Sequence, residues 1–318
     1  MHQATSWRSV CSLVLGIAVV IALPAAGWAH GVVGKRWFPS TIVVEDSFVS
    51  DEAGLVLGHR KEPGALSTDL EAEISKRLTP DLAITLGGSY QIIRPRGEAA
   101  EEEGSTSGFQ NPDFGLRYQF ARNAMHELAA TAAINVSPGG VGQRRVSRLS
   151  GTTVSPAIQI GKGFGDLPDW ADWLKPVAVT TSLGFDLRTN RNEREDDAQH
   201  SFAWGVAVMY SIPYLQSYVK DVGIPWPFNR LFPVVEFNGE TLISGPEKGS
   251  HTAFANPGLV WAGKYFELAV SAQLPLNDAS GHHAGVLGMV HVFLDDIAPD
   301  IFTWTPFHGI LGPQTLPR

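Results

Sequence analysis

The stretch "TDLEAEISKRLTPDLAITLGGSYQII", Thr68 to Ile93, decides the fold. Leu70, Ala72, Ile74 and Leu78 share one parity, with Lys76 the exception on that face. Asp69, Glu71, Glu73, Ser75 and Arg77 share the other. Thr79, Pro80 and Asp81 supply a tight turn. Leu82, Ile84, Leu86, Tyr90 and Ile92 then alternate with Ala83, Thr85, Gly87, Ser89 and Gln91. Successive strand side chains point to opposite faces, so this is a hairpin with one apolar face and one polar or small face.

The same period recurs outward from this hairpin. Phe114, Leu116, Tyr118 and Phe120 alternate with Asp113, Gly115, Arg117 and Gln119, and after the turn "ARNAMH" comes a strand through Leu128, Ala130, Ala132, Ile134 and Val136. Further strands are predicted at Val154–Lys162, Val177–Arg188, Phe202–Ser211, Leu231–Thr241, Ala253–Ala262, Phe266–Leu276 and Ala284–Leu294. Short turns ("TPD", "ARNAMH", near "GKY") alternate with long polar, glycine-rich connections ("RPRGEAAEEEGSTSG", "SPGGVGQRRVSRLSG", "RTNRNEREDDAQ", "SGPEKGSHT", "NDASGHHAG"). Short turns at one end and long loops at the other is the layout of a transmembrane β-barrel, and strands of about ten residues suit a tilted crossing. The strands legible from Asp69 onward are odd in number, whereas single-chain bacterial barrels are even. A first strand within "EAGLVLGHR", Glu52 to Arg60, completes an all-β, antiparallel transmembrane barrel of about twelve strands. A soluble sandwich or jelly roll also alternates. Its core would have to accept the Gly, Ala, Ser, Asn, Gln and charged residues of the second face, which makes a poor interior.

The N-terminus reads as an export signal: Arg8, then the apolar run "LVLGIAVVIAL", then small residues Gly27 and Ala29 ahead of a cut. The resulting organisation is a signal peptide at 1–29, an N-terminal periplasmic segment at 30–51, an outer-membrane barrel at 52–295 and a tail at 296–318. The single cysteine of the 318-residue chain, Cys11, leaves with the signal. Two connections, "GDLPDWADWLKP" and "YLQSYVKDVGIPWPFNRLF", carry Trp and Tyr at helical spacing and read as short interfacial helices on the periplasmic side. The tail "LDDIAPDIFTWTPFHGILGPQTLPR" follows the last strand, so an assembly signal carried by that strand would be internal, and Trp304, Phe307 and Pro313 would pack at the barrel base or into its mouth.

The formal net charge is −8 with Lys and Arg scattered, which excludes a nucleic-acid partner. The partners expected are outer-membrane lipid, the outer-membrane assembly machinery and a small solute. There is no G-x-S-x-G and no H-E-x-x-H. His59, His126, His200, His251, His291 and His308 have no serine partner identified by spacing, so no enzyme activity, no catalytic residue and no cofactor is expected. Adjacent His282 and His283 on an extended chain point opposite ways and do not chelate together. His30, as a new N-terminus, could offer amine and imidazole to copper but has no evident second ligand. No metal residue is assigned. The acidic run "EAAEEE", Glu98 to Glu103, reads as a solvated loop or as a cation attractor at a pore mouth.

Parity assigns the lumen. Its candidate lining is Glu71, Glu73, Gln91, Asp113, Arg117, Gln119, Asn135, Gln159, Asp186, Arg188, Glu236, Asn238, Glu240, Glu267 and Gln273. Both charge signs occur, which serves either ion pairs that close a narrow barrel or a thin polar path. The segments "HGVVGKRWFPSTIVVEDSFVSDE", "SKRLTPDLAI", "NPDFGLRYQF" and "PYLQSYVKDVGIPWPFNRLFPVVEF" resemble bacterial outer-membrane barrels, nearest to the meta-pathway phenol-degradation family of transporters. That resemblance implies passive passage of small solutes, aromatic or hydrophobic compounds among them. The alternative is a closed barrel acting as an envelope scaffold or binding protein.

Overall fold

The computed structural model describes residues 31–62, 64–97, 104–146, 149–189 and 199–307. The expected signal peptide, His30, the acidic run at 98–103 and His308 lie outside these residues. The first described element is a small hairpin of β1 (Val32–Val33) and β2 (Arg36–Trp37). The strands that follow are β3 (Glu52–Glu62), β4 (Ala65–Thr79), β5 (Leu82–Pro95), β6 (Thr106–Phe109), β7 (Asp113–Asn123), β8 (Leu128–Ser137), β9 (Thr153–Gly163), β10 (Val177–Arg188), β11 (Ser201–Tyr210), β12 (Leu231–Leu242), β13 (His251–Ala262), β14 (Phe266–Pro275) and β15 (Gly285–Phe293). Neighbours pair antiparallel in sequence order, and β15 returns to β3 with Met289 opposite Val56, which closes the sheet. The result is a twelve-stranded transmembrane antiparallel barrel. The strand inferred from the even-number rule is β3.

β6 and β7 together make one barrel strand. β6 pairs with the outer end of β5 and β7 with its inner end. The break falls at 110–112, where Pro112 has no N–H for a ladder bond. The amide of Gln110 still donates to the Ser89 carbonyl at 2.9 Å, so the strand continues past the break.

Alternation sorts the two faces as the sequence reading anticipated. Leu55 and Leu57 on β3, Ile84 and Leu86 on β5, Phe114 to Phe120 at every second position of β7, and Leu268 and Val270 on β14 are exposed on the outside. A soluble fold would have to bury this belt. In lipid it needs no cover, because the barrel satisfies its backbone hydrogen bonds internally. Trp170, Trp173, Trp226, Phe228 and Trp304 are exposed at the short-turn end, on or beside short helical turns at Asp169–Leu174, Leu215–Val219 and Phe228–Arg230.

Residues 31–51, expected as a periplasmic segment ahead of the barrel, run inside it. Val33, Phe38, Val44 and Phe48 are buried in one apolar cluster with Ala178, Ala207, Met209, Phe232 and Val260 of the barrel wall. Small wall residues make the room. A Cβ on Gly161 would stand 2.7 Å from Ser47 Oγ and 3.3 Å from Phe38 Cε1. Gly161→Val is therefore expected to push the segment off the wall while leaving the ladder intact. Limited proteolysis should cut within 31–51 faster than in the parent, with heat-modifiable gel migration unchanged. Equal cutting rates would show that the segment does not depend on this close approach.

The described part of the tail packs against the short-turn end of β4. Lys76 Nζ donates to the carbonyls of Phe302 (2.7 Å) and Trp304 (2.6 Å), and the Phe307 amide donates to the Leu78 carbonyl at 2.9 Å.

Candidate functional site

The lumen is built from the inward positions of the strands and from the segment that crosses it. That segment is pinned at both ends. At its start, Arg36 is fully buried. Its guanidinium donates to Glu127 Oε2 at 3.1 Å, to the Pro176 carbonyl at 2.8 Å and to the Lys175 carbonyl, and lies 3.9 Å from the centre of the Tyr214 ring. Glu127 sits at φ 47° in the turn between β7 and β8, a left-handed conformation unusual for a residue with a side chain. In this turn Glu127 is buried, and it also accepts the Gly165 amide at 3.0 Å. Burial pulls the Arg36 guanidinium below its ordinary value and Glu127 opposes that pull, while burial and Glu127 push the Tyr214 hydroxyl up to about 12. At the other end, buried Asp51 accepts from Lys76 Nζ at 2.7 Å and from Arg77 Nε at 2.8 Å, and Arg77 also pairs with Asp295 of the tail at 2.6 Å.

Between these anchors, residues 40–47 form an irregular strap held by polar groups from strands on opposite sides of the barrel. The Glu236 carboxylate on β12 accepts three consecutive amides, Ile42 at 3.1 Å, Val43 at 2.8 Å and Val44 at 2.7 Å. Glu267 on β14 accepts the Ser40 amide at 2.9 Å. From the other wall, Gln159 Nε2 donates to Glu45 at 2.7 Å, and Arg117 Nη2 donates to the Asp46 carbonyl at 2.6 Å. The Ser47 carbonyl accepts from Gln119 at 2.9 Å and from Thr131 at 2.7 Å. His291 on β15 lies 3.2 Å from Ser40 Oγ and 3.4 Å from Glu52.

Above the strap, towards the long-loop end, lies a cavity of about 1100 Å³. Thr41, Val43, Val44, Glu45 and Asp46 of the strap contribute to its lining. Of the residues that parity assigned to the lumen, Glu71, Glu73, Asp113, Asn135 and Asp186 line this cavity, as do Asn238, Glu240 and Gln273. Arg117 lines it and also holds the strap. Gln119, Gln159, Glu236 and Glu267 are buried beneath the strap. Gln91 and Arg188 stand on the inward parity but outside the cavity lining. Gln91 donates to Ser67 on the neighbouring strand at 3.2 Å, and the Arg188 amide donates to His200 at 3.1 Å.

Glu127, Glu52 and His291 are among the participants that escaped the sequence reading. Glu127 lies in a turn, where period 2 says nothing. Glu52 is the first residue of a strand inferred only by counting. His291 stands on β15, where Leu287 and Met289 face inward while Val286 and Val290 face outward, so apolar residues occupy both faces and hide the inward one. Among the described residues no group of three or more His, Cys, Asp or Glu could hold a metal ion. His282 is exposed and reaches only Asp278, at 4.0 Å.

No family model matches the chain, and no curated protein does. Solved outer-membrane barrels do match its fold. An outer membrane channel from Pseudomonas putida superposes with a TM-score of 0.52 at 11% identity, covering 85% of this chain and 99% of that one. The NanC porin gives a TM-score of 0.47 at 8% identity over 76% of this chain and 98% of the porin. Outer membrane phospholipase A from Escherichia coli gives 0.40 at 11% identity over 77% and 93%. At 11% identity the likeness to the Pseudomonas putida channel is one of fold, and it is the fold of an outer-membrane barrel.

Proposed function

We propose that this chain is a passive outer-membrane channel for small polar solutes, with cations favoured. The carrying observation is the cavity, whose lining includes the carboxylates of Glu45, Asp46, Glu71, Glu73, Asp113, Asp186 and Glu240 against the cationic groups of Arg60, Lys61 and Arg117. Arg117 is already committed to Asp46, and Arg60 to Glu62 at 2.7 Å. An excess of one sign in a low-dielectric bore concentrates the opposite ion and sets selectivity. Passive passage requires no catalytic group and no cofactor.

The resemblance to the phenol-degradation transporters supports a second reading, passage of aromatic or hydrophobic compounds, for which Val56, Phe254 and Met289 give the wall its apolar share. The two readings differ in a bilayer experiment. Under a salt gradient the reversal potential is expected to show cation preference, and Glu73→Gln with Glu240→Gln should move it towards zero. Anion preference, or silence even when residues 40–47 are replaced by an equal number of glycines and serines, would count against the cation channel. Fractionation with the outer membrane is expected in either reading.

A further inference from the structure

The geometry points to residues 40–47 as a tethered gate: a strap that closes the short-turn end of the lumen and swings aside without leaving the barrel. This inference rests on the channel reading. Three features carry it. The first is the wall beneath the strap. Gln159, Glu236, Glu267, Asn256 and Thr131 are fully buried there. A permanently filled interior is more stable when such groups are replaced by well-packed apolar ones, since buried ionic groups lose their hydration. A wall that is polar under its cover is one that remains stable when water replaces the cover.

The second feature is bore width. Gly161 and Gly205 lie directly under Ser47 and Val44. These positions are empty of side chain, so withdrawing the strap leaves a passage rather than a wall that already fills itself.

The third is the pattern of attachment. The apolar side chains Val33 and Phe38 and the Arg36 pair fix the segment before the strap, and Asp51 with Lys76 and Arg77 fixes it after. The strap itself has no helix or strand ladder of its own. Val44 packs in the apolar cluster of the wall, with Ile42 against it, and the rest of the strap is held by side-chain hydrogen bonds, many of them to two carboxylates. Hydrogen bonds of this kind are exchanged for hydrogen bonds to water at small net cost.

A reversible lock tests the gate. The Val44 Cβ lies 3.6 Å from where a Cβ on Gly205 would sit, within the range that a disulfide spans. The chain's only cysteine is Cys11, in the segment expected to be cleaved. Val44→Cys with Gly205→Cys therefore introduces the sole thiol pair of the mature barrel. In planar bilayers the parent is expected to open intermittently, the oxidised variant to stay shut, and the reduced variant to open again. Glu236→Gln, which keeps the shape of the acceptor and removes its charge, is expected to raise the open probability. Heat-modifiable migration and thiol titration confirm that each variant is folded and bridged.

Equal open probability in the oxidised and reduced states, none in either included, overturns the gate. So does an unchanged open probability in Glu236→Gln. The variant with residues 40–47 replaced by glycine and serine then separates the two ideas. If it conducts, the channel reading stands and the strap is a fixed plug. If it is silent, the channel reading fails.

Discussion

Replacing Arg36 with methionine is expected to destabilise the barrel by about 3–5 kcal/mol, the range for removing one partner of a buried ion pair. The side chain is fully buried and donates to one carboxylate and two backbone carbonyls at the short-turn end. Its loss leaves the Glu127 carboxylate, 4% exposed at its side chain, without its cation and with the neutral Gly165 amide, at 3.0 Å, and Tyr214 hydroxyl as hydrogen-bond partners. The loss is of an unmatched charge more than of an attraction, and this gives the experiment its internal control. Arg36→Met with Glu127→Met removes both charges and should recover much of the stability, because two apolar groups replace a desolvated pair. Denaturant unfolding of the reconstituted protein measures all three variants. If the single substitution falls within about 0.5 kcal/mol of the parent, as ordinary surface changes do, the Arg36 anchor has no energetic role. The tether it gives the strap would then be lost with it.

The second large effect concerns the outer face. Val270 stands at the middle of β14, and its side chain is among the exposed apolar groups. Val270→Arg is expected to cost ~2–4 kcal/mol in lipid, the range for an arginine facing the bilayer at mid-depth. Gln273 lies on the same strand and faces the cavity. Gln273→Arg should shift stability by about 0.5 kcal/mol, as changes at hydrated positions do. The contrast matters more than either value. Similar losses at both positions would mean that β14 does not present one face to lipid and the other to water. In detergent of short chain length the Val270→Arg penalty should shrink, since the micelle deforms around the charge more readily than a bilayer.

Much of the barrel was legible because a strand's two faces are a local property. Leu70 and Glu71 are adjacent, and their contrast needs no knowledge of the rest of the chain. Repeated strand after strand, it fixed the element list to within one or two residues at most ends. The odd strand count forced β3 into existence from the weak stretch at Glu52. Parity failed in two circumstances. On β15 both faces are apolar, so parity did not single out His291 for the lumen, although it is buried inside. In the turn before β8 the chain has no period, so Glu127 was not visible as the partner of Arg36.

By itself, then, the sequence determined a closed antiparallel barrel and its two faces, lipid-facing apolar and inward polar or small, both of which follow from nearest-neighbour alternation and the even-strand rule. Tertiary structure decided the fate of residues 31–51. Nothing local marks "PSTIVVEDS" as the occupant of a lumen. Its amides meet Glu236, which lies 192 residues away from Val44 in the chain, and its side chains fit hollows left by Gly161 and Gly205 on two other strands. Such contacts exist only once the sheet has closed and set the width of the bore. The choice between a leader outside the barrel and a strap within it therefore belonged to the closed sheet and not to any stretch of the chain.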